Sequence, residues 1–243
     1  MKACSRREFV KRGLLVAGTG WATQRALSSW DFSSFRGLEG AEGDLSPPAT
    51  PKKEAAPGVP LFDGKTFAGW EGNLKWFRIQ DEAIVAGDLA QRIPHNEFLC
   101  TKKEYGDFEL HLEVKLAGNK GNAGIQLRSQ RVPNHHEVSG YQADVGPGYW
   151  GSLYDESRRN RMLVWADKEL IKKVIRPEDW NQYRIRCLGP KVQLWLNGHK
   201  TVDYTEEAAK IARKGIIGLQ VHGGPPAEIS YRRLRIMDLS KGT

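Results

Sequence analysis

The segment 183–204, YRIRCLGPKVQLWLNGHKTVDY, restricts the fold of this chain more than any other. Between the turn pairs Gly189-Pro190 and Asn197-Gly198, Val192, Leu194 and Leu196 alternate with Gln193 and Trp195. A period of two is that of a strand with one buried face. Asn-Gly favours a type I′ hairpin, because both central residues must adopt positive φ. Three consecutive antiparallel strands follow. From residue 61 onward the same kind of short alternating run recurs, punctuated by Gly, Asn and Pro. Many short strands in one stretch imply an all-β sandwich or jelly roll. One helix is expected, over 206–214 and ending before Gly215.

The 243 residues suffice for one large all-β domain or two small ones. The formal charge of +8 is unevenly placed. Residues 1–30 hold Lys2, Arg6, Arg7, Lys11, Arg12 and Arg25 against Glu8, a net +5, which leaves +3 for the rest. That remainder gives no argument for a phosphate-binding surface. The N-terminal SRREFVKRGLLVAGTGWA resembles a bacterial twin-arginine translocation signal, matched at Ser5, Arg6, Arg7, Phe9 and Lys11. A basic amphipathic helix is the alternative. The apolar run 13–22 is too short for a permanent membrane span. Residues 31–60 are rich in Pro, Gly, Ala and charge and poor in large apolar side chains, and read as a linker. Beyond the signal, Cys100 and Cys187 are either one disulfide or two separate buried thiols.

Strand periodicity also sorts the polar residues. In DFELHLEVKL, Phe108, Leu110, Leu112, Val114 and Leu116 face a core, which puts Glu109, His111, Glu113 and Lys115 on the other side. By the same reasoning Gln126 and Arg128, Gln142 and Asp144, and Gln220 and His222 lie on the non-core faces of three further strands. Trp195 and Gln193 do so on a fourth. Three glutamines with Arg, Asp and His form a hydrogen-bonding set suited to a polyhydroxylated ligand. They converge in a groove if the sheet curves, and form a plain outer face if it does not. The glycine-rich stretch that follows Asp144 carries Tyr149, Trp150 and Tyr154, a possible wall for that groove.

Taken together, these segments resemble the 3-keto-disaccharide hydrolase family, also described as 3-keto-glucoside lyases and 3-keto-2-hydroxy-glucal hydratases. The resemblance is carried by LFDGKTFAGW (61–70), YGDFELHLEVKL (105–116), GNAGIQLR (121–128), WNQYRIRC (180–187), LNG (196–198) and GLQVHGG (218–224), in the family's order. It covers 61–239 and implies a concanavalin A-like lectin/glucanase jelly roll of two antiparallel sheets, with carbohydrate on the concave face. The strand 141–144 departs from it: the family more often carries Glu-x-Gln there, whereas here Gly140 and Asp144 flank Tyr141 to Ala143, so the resemblance supports Gln142 more than Asp144.

The implied reaction cleaves a 3-keto-glycoside. A ketone at C3 acidifies the C2 proton, which allows elimination of the C1 substituent and then addition of water. This needs a base, an enolate stabiliser and an acid, and no redox cofactor. Asp144 or Glu113 is the expected base, Arg128 the stabiliser and His222 the acid. Gln126, Gln142 and Gln220 would hold hydroxyls, with Trp150, Tyr154 or Trp195 stacking on a ring. Each has a structural alternative: His222 bracing a turn, Glu113 a solvated charge, Arg128 an ion-pair partner of Asp144. Trp70, Trp76 and Trp180 are expected in the core. His135 and His136 point apart on an extended chain and suggest no metal site, although loop carbonyls could hold a structural calcium. ESRRNR (156–161) is a solvated basic loop or a flap over the groove. A glycosidase would need two carboxylates flanking the bond, and the same-strand acidic cluster of jelly-roll glucanases is absent. A non-catalytic carbohydrate-binding module remains the competing reading.

Overall fold

The computed structural model describes residues 56–240. The stretch read as a translocation signal, and most of that read as a linker, lie outside the described residues. Fifteen strands are present: β1 (Val59–Pro60), β2 (Trp70–Glu71), β3 (Phe77–Gln80), β4 (Ala83–Asp88), β5 (Glu97–Thr101), β6 (Phe108–Leu116), β7 (Ala123–Arg131), β8 (Val138–Val145), β9 (Leu153–Glu156), β10 (Arg161–Val164), β11 (Asn181–Leu188), β12 (Lys191–Leu196), β13 (His199–Thr205), β14 (Ile216–Val221) and β15 (Ala227–Asp238). Sheet A runs β13-β12-β11-β6-β15-β4-β3, with β1 also paired to β15, and sheet B runs β10-β9-β8-β7-β14-β5-β2. Every pairing is antiparallel. In both sheets the centre joins distant strands, β6 to β15 and β7 to β14, which is the crossed connectivity of a jelly roll.

The meander takes its expected form as β11, β12 and β13. Asn197 and Gly198 have φ of 50° and 87°, the pair of positive angles that a type I′ turn demands. Between the sheets, the inward residues of β6 meet Ile125 and Leu127 of β7, Tyr141, Ala143 and Val145 of β8, and Ile217, Leu219 and Val221 of β14 in one core. Cys187 belongs to this core, whereas Cys100 sits on the outer side of sheet B with Phe98, Val138 and Ile216. Both thiols are free, and burial pushes each up to about 12, so neither is a nucleophile near neutral pH.

Two boundaries differ from the sequence reading. β1 lies inside the presumed linker and pairs with Ile236 and Arg235, so the ordered domain begins earlier than residue 61. The segment 206–214 is irregular, with a turn at 209–210, and the α-helix among the described residues is Lys168–Val174. EEAAKIARK has good helix formers but is too short for propensity alone to hold it. The contacts of Glu206 described below fix its start instead. The helix that does form has Asp167 as N-cap, accepting from Leu170 N at 2.8 Å, and Lys172 and Lys173 in its last turn.

The outer face of sheet B is concave. Gln220 Nε2 on β14 donates to Glu156 Oε2 on β9 at 3.1 Å, although β7 and β8 lie between them. Gln220 is level with Asp144 through Gly124, whereas Glu156 is level with Gly140. At about 4.8 Å per strand and 3.4 Å per residue, that diagonal is roughly 20 Å on a flat sheet. A Gln and a Glu close such a gap only where the sheet curls toward them.

Candidate functional site

The floor of this concavity is a chain of hydrogen bonds running one way. Ser129 Oγ donates to Gln126 Oε1 (2.8 Å), Gln126 Nε2 to Gln142 Oε1 (2.5 Å), and Gln142 Nε2 to Asp144 Oδ1 (2.7 Å). Cross-strand pairing puts these groups side by side, Gln126 opposite Gln142 and Asp144 opposite Gly124. Two glycines on this face, Gly124 and Gly140, make room for it. A Cβ at Gly124 would lie 2.5 Å from Gln142 Cδ, and one at Gly140 would lie 2.3 Å from Ser129 Oγ. The departure at Gly140 thus has a physical counterpart: Ser129 fills the space that a side chain at Gly140 would need. Each donor points toward Asp144, which ends the chain as its acceptor.

On the same face, on β9, lies Glu156, a residue the sequence reading did not single out as a site residue. It shares the groove side of β9 with Tyr154, which is the cross-strand partner of Gln142. Alternation in LYDE, with Leu153 and Asp155 inward, was the signal available. Burial, then the nearby charge of Glu137, raises the Glu156 carboxyl above the usual carboxylate range. Gln220 is fully buried, and its Oε1 has no hydrogen-bond partner among the described residues. Such an acceptor becomes available to a ligand hydroxyl once the bond from Gln220 to Glu156 opens. His222, half-buried at the end of β14, holds Gly223 O at 2.6 Å through Nδ1. In the neutral ring this places the proton on Nδ1 and leaves Nε2 an acceptor, the opposite of the donor role expected of it.

Four expected site residues lie elsewhere. Arg128 does not share the groove face with Gln126. It has φ of 47° in a bulge between Leu127 and Gln130, which turns its side chain away and brings Ser129 to the face. Its guanidinium is 2% exposed and ties Gly106 O, Gly189 O and Asp107 Oδ1, each at 2.7 Å. Glu113 and Trp195 are on the outer side of sheet A, away from the groove. Glu113 pairs with Arg232 (2.8 Å) and Arg233 (3.2 Å), and the Arg184 guanidinium lies 4.3 Å from the Trp195 ring centre. Trp150 is buried in the core and donates to Asn119 Oδ1 at 3.1 Å, so it closes one end of the sandwich instead of presenting a face to a sugar. Its neighbour Tyr149 stacks on Trp165, which is exposed. Trp70 and Trp76 are core as expected, whereas Trp180 is half-buried beneath Arg232.

His135 and His136 do not point apart. The chain turns there, and their rings stack at 4.1 Å, with His95 on His136 at 3.9 Å. Among the described residues no group of three or more His, Cys, Asp and Glu side chains is arranged to hold a metal ion. The ESRRNR loop is held by buried acids. Arg158 and Arg159 both bond Asp155, Arg159 Nη2 reaches Glu206 Oε2 at 2.7 Å, and Arg158 lies over the Tyr141 ring.

Burial works to raise the pKa of Glu206. The bonds from Arg159, the Tyr141 hydroxyl and Ala208 N outweigh it and hold the carboxyl at about 2. A folded-state value below the unfolded one gives stability that is complete above the unfolded value and lost as pH falls through the folded one. Acidification from about pH 5 to pH 2 is therefore expected to remove on the order of 3 kcal/mol. Urea denaturation across that range should show much of this loss abolished in Glu206→Gln. An unchanged acid slope would contradict the assignment.

A two-sheet jelly roll with a concave, amide-lined face that carries two carboxyls is a frame of carbohydrate-handling domains. Residues 57–237 match the model of the 3-keto-alpha-glucoside-1,2-lyase-like domain, and the chain belongs to that family. Among solved structures it is similar to two proteins from Parabacteroides distasonis ATCC 8503 named as candidate glycosyl hydrolases. One is 20% identical, covering 74% of this chain and 93% of that one with a TM-score of 0.59. The other is 22% identical, covering 76% and 100% with a TM-score of 0.56. It is also similar to the carbohydrate binding module CBM66 from Bacillus subtilis, at 14% identity over 70% of this chain and 96% of that one, TM-score 0.53. At these identities the likeness is one of fold. A search of curated proteins finds no match to the chain.

Proposed function

We propose that the concave face of sheet B cleaves 3-keto-glycosides by elimination and hydration. Asp144 takes the C2 proton, the C1–C2 double bond forms as the C1–O bond breaks, and Glu156 gives its proton to the departing oxygen. Water then adds at C1, so the net change is hydrolysis. The observation that carries this reading is the one-way chain from Ser129 to Asp144 on the same face as a carboxyl of raised pKa. Asp144 accepts at the end of that chain and the Glu156 carboxyl is raised, which suits the first to the base role and the second to the acid role. Gln220 Oε1 and Tyr154 would receive ring hydroxyls, and His222 Nε2 would accept one. Membership of the lyase-like family supports the substrate class. Export by the twin-arginine route is part of the same proposal and rests on the match at Ser5, Arg6, Arg7, Phe9 and Lys11. No helix among the described residues is long and apolar enough to cross a membrane.

The acid role has its own test. Activity should fall as pH rises through the Glu156 pKa, because the protonated form is the donor. Glu137→Gln removes the neighbouring charge that raises this pKa, so the alkaline limb of kcat/KM should move to lower pH. A stationary limb, or one moving upward, would contradict the role. A binding-module reading is favoured by one feature: Gln126 is fully buried and Gln142 2% exposed beneath the Gln220–Glu156 bridge. If the bridge stays closed, a sugar would be held only at the rim. Saturable binding of both oxidised and unoxidised glycosides without turnover would establish that alternative.

A further inference from the structure

The end of the β7–β8 hairpin crosses the concave face of sheet B. By strand register, Asn96 lies just before Glu97, which is level with Val221 and Ala123, whereas Glu137 lies just before Val138, level with Arg131. Three strand spacings and the length of β7 separate the two, more than about 30 Å on a flat sheet. Yet Asn96 Nδ2 donates to Glu137 Oε1 at 3.1 Å, and the His136 ring stacks on His95 at 3.9 Å. Arg131 likewise reaches over β14 and β5 to Glu71 on β2, with Nε on Oε1 at 2.7 Å and Nη2 on the backbone oxygen at 3.0 Å. Both strands turn back at one level, where the bulge of Arg128 and Ser129 in β7 stands opposite Gly140 in β8. Beneath the crossing, Val138 packs with Phe98, Cys100 and Ile216 on the groove side, and Gln126, Gln142, Gln220 and Asp144 are all buried.

We infer that residues 131–138 form a lid over the groove, closed in this structure, that lifts about the bulge of Arg128 and Ser129 to admit a glycoside and on closing sets Glu137 beside Glu156. The gating role rests on the concave face being the substrate site, as proposed above; the lid itself stands on the contacts alone. The tip holds together as one unit, since Val132 N donates to Glu137 O at 3.1 Å and His135 N to Val132 O at 3.2 Å. Its outer fastenings are polar and partly exposed: the Arg131 and Glu71 side chains are 40% and 47% exposed. Pairs of this kind contribute little, so such a segment opens far more often than the domain unfolds. Arg128, tied to Gly106, Gly189 and Asp107, keeps the base of the hairpin fixed. Lifting uncovers Phe98, the cross-strand partner of Gln220, and Ile216, the partner of Ser129. That offers apolar surface for a ring beside amides for its hydroxyls. On closing, Glu137 Oε2 accepts from Ser157 Oγ at 3.0 Å, which places its charge next to Glu156. The proton donor is thus completed only once the groove is shut from water.

The test follows alkylation of the full-length chain by N-ethylmaleimide, with peptide mapping to separate Cys100 from Cys187 and Cys4. Cys100 lies under the lid, near enough to Arg131 and Glu71 for both charges to act on its thiol, whereas Cys187 is in the core between the sheets. Lifting without global unfolding should label Cys100 at least about tenfold faster than Cys187. Arg131→Glu turns the pair with Glu71 into a repulsion and should speed Cys100 by a further factor of about three to ten, with Cys187 unchanged. Adding Glu71→Arg to that variant should restore the original rate. Saturating 3-keto-glucoside or unoxidised glucoside should slow Cys100 alone, because a sugar in the groove covers it. Equal labelling of Cys100 and Cys187, or a Cys100 rate unmoved by Arg131→Glu, would overturn the lid. Latch-dependent labelling that saturating sugar leaves unchanged would overturn its gating role. Saturable protection without turnover would support the lid and remove the lyase reading.

Discussion

Asp144→Asn is expected to lower turnover of a 3-keto-glucoside by about 10²–10⁴-fold and to leave the fold intact. Asn has the same shape and can still accept the bond from Gln142 at Oδ1, so the floor chain persists. It cannot take a proton from carbon. The loss should therefore appear in kcat, with binding of the unoxidised glucoside unchanged. Glu113→Gln is the matched control: Glu113 is a carboxylate 6% exposed on the opposite sheet, bound to two arginines, and its replacement should leave kcat unaltered. Turnover by Asp144→Asn above one-tenth of the original rate would remove Asp144 from the role of base.

Arg128→Ala is expected to destabilise the protein by about 2–4 kcal/mol, the cost of taking a buried donor from two carbonyls and a partly exposed carboxylate. The guanidinium joins the loop before β6 at Gly106 and Asp107 to the β11–β12 turn at Gly189. Its removal leaves two carbonyls and a carboxylate without that donor. Lys would not substitute, since one ammonium lacks the planar fork that reaches three acceptors. Such a change is a large share of the 5–15 kcal/mol that holds a typical domain folded. Urea denaturation would measure it, and a change below about 1 kcal/mol would contradict the account. Turnover per folded molecule should be retained, which separates this bracing role from enolate stabilisation.

Much of the fold was legible because a period of two says which side of its own strand a residue occupies. It does not say which sheet that strand joins. Glu113 and Trp195 are correctly outward, yet outward from sheet A, whereas Gln126, Gln142, Asp144 and Gln220 are outward from sheet B. Arg128 escaped for another reason: a non-glycine residue at positive φ has no sequence signature, and the bulge it makes breaks the alternation. Trp150 lies in a loop, where no period applies. His135 and His136 were read on an extended chain that in fact turns. Glu156 was within reach of the same alternation that found Tyr154. The helix at Lys168–Val174 carried legible signals in Asp167, Glu169 and the following Pro177, whereas EEAAKIARK carried propensity alone.

The most direct measurement incubates the full-length chain with 3-keto-glucosides and, separately, with the same glucosides unoxidised, following substrate loss and a 2-hydroxy-glucal intermediate. Consumption of the keto sugars alone, through that intermediate, is the predicted result, since only the C3 ketone makes the C2 proton removable by a carboxylate. Hydrolysis of both series at similar rates, or of neither, would contradict the proposed elimination on the concave face of sheet B.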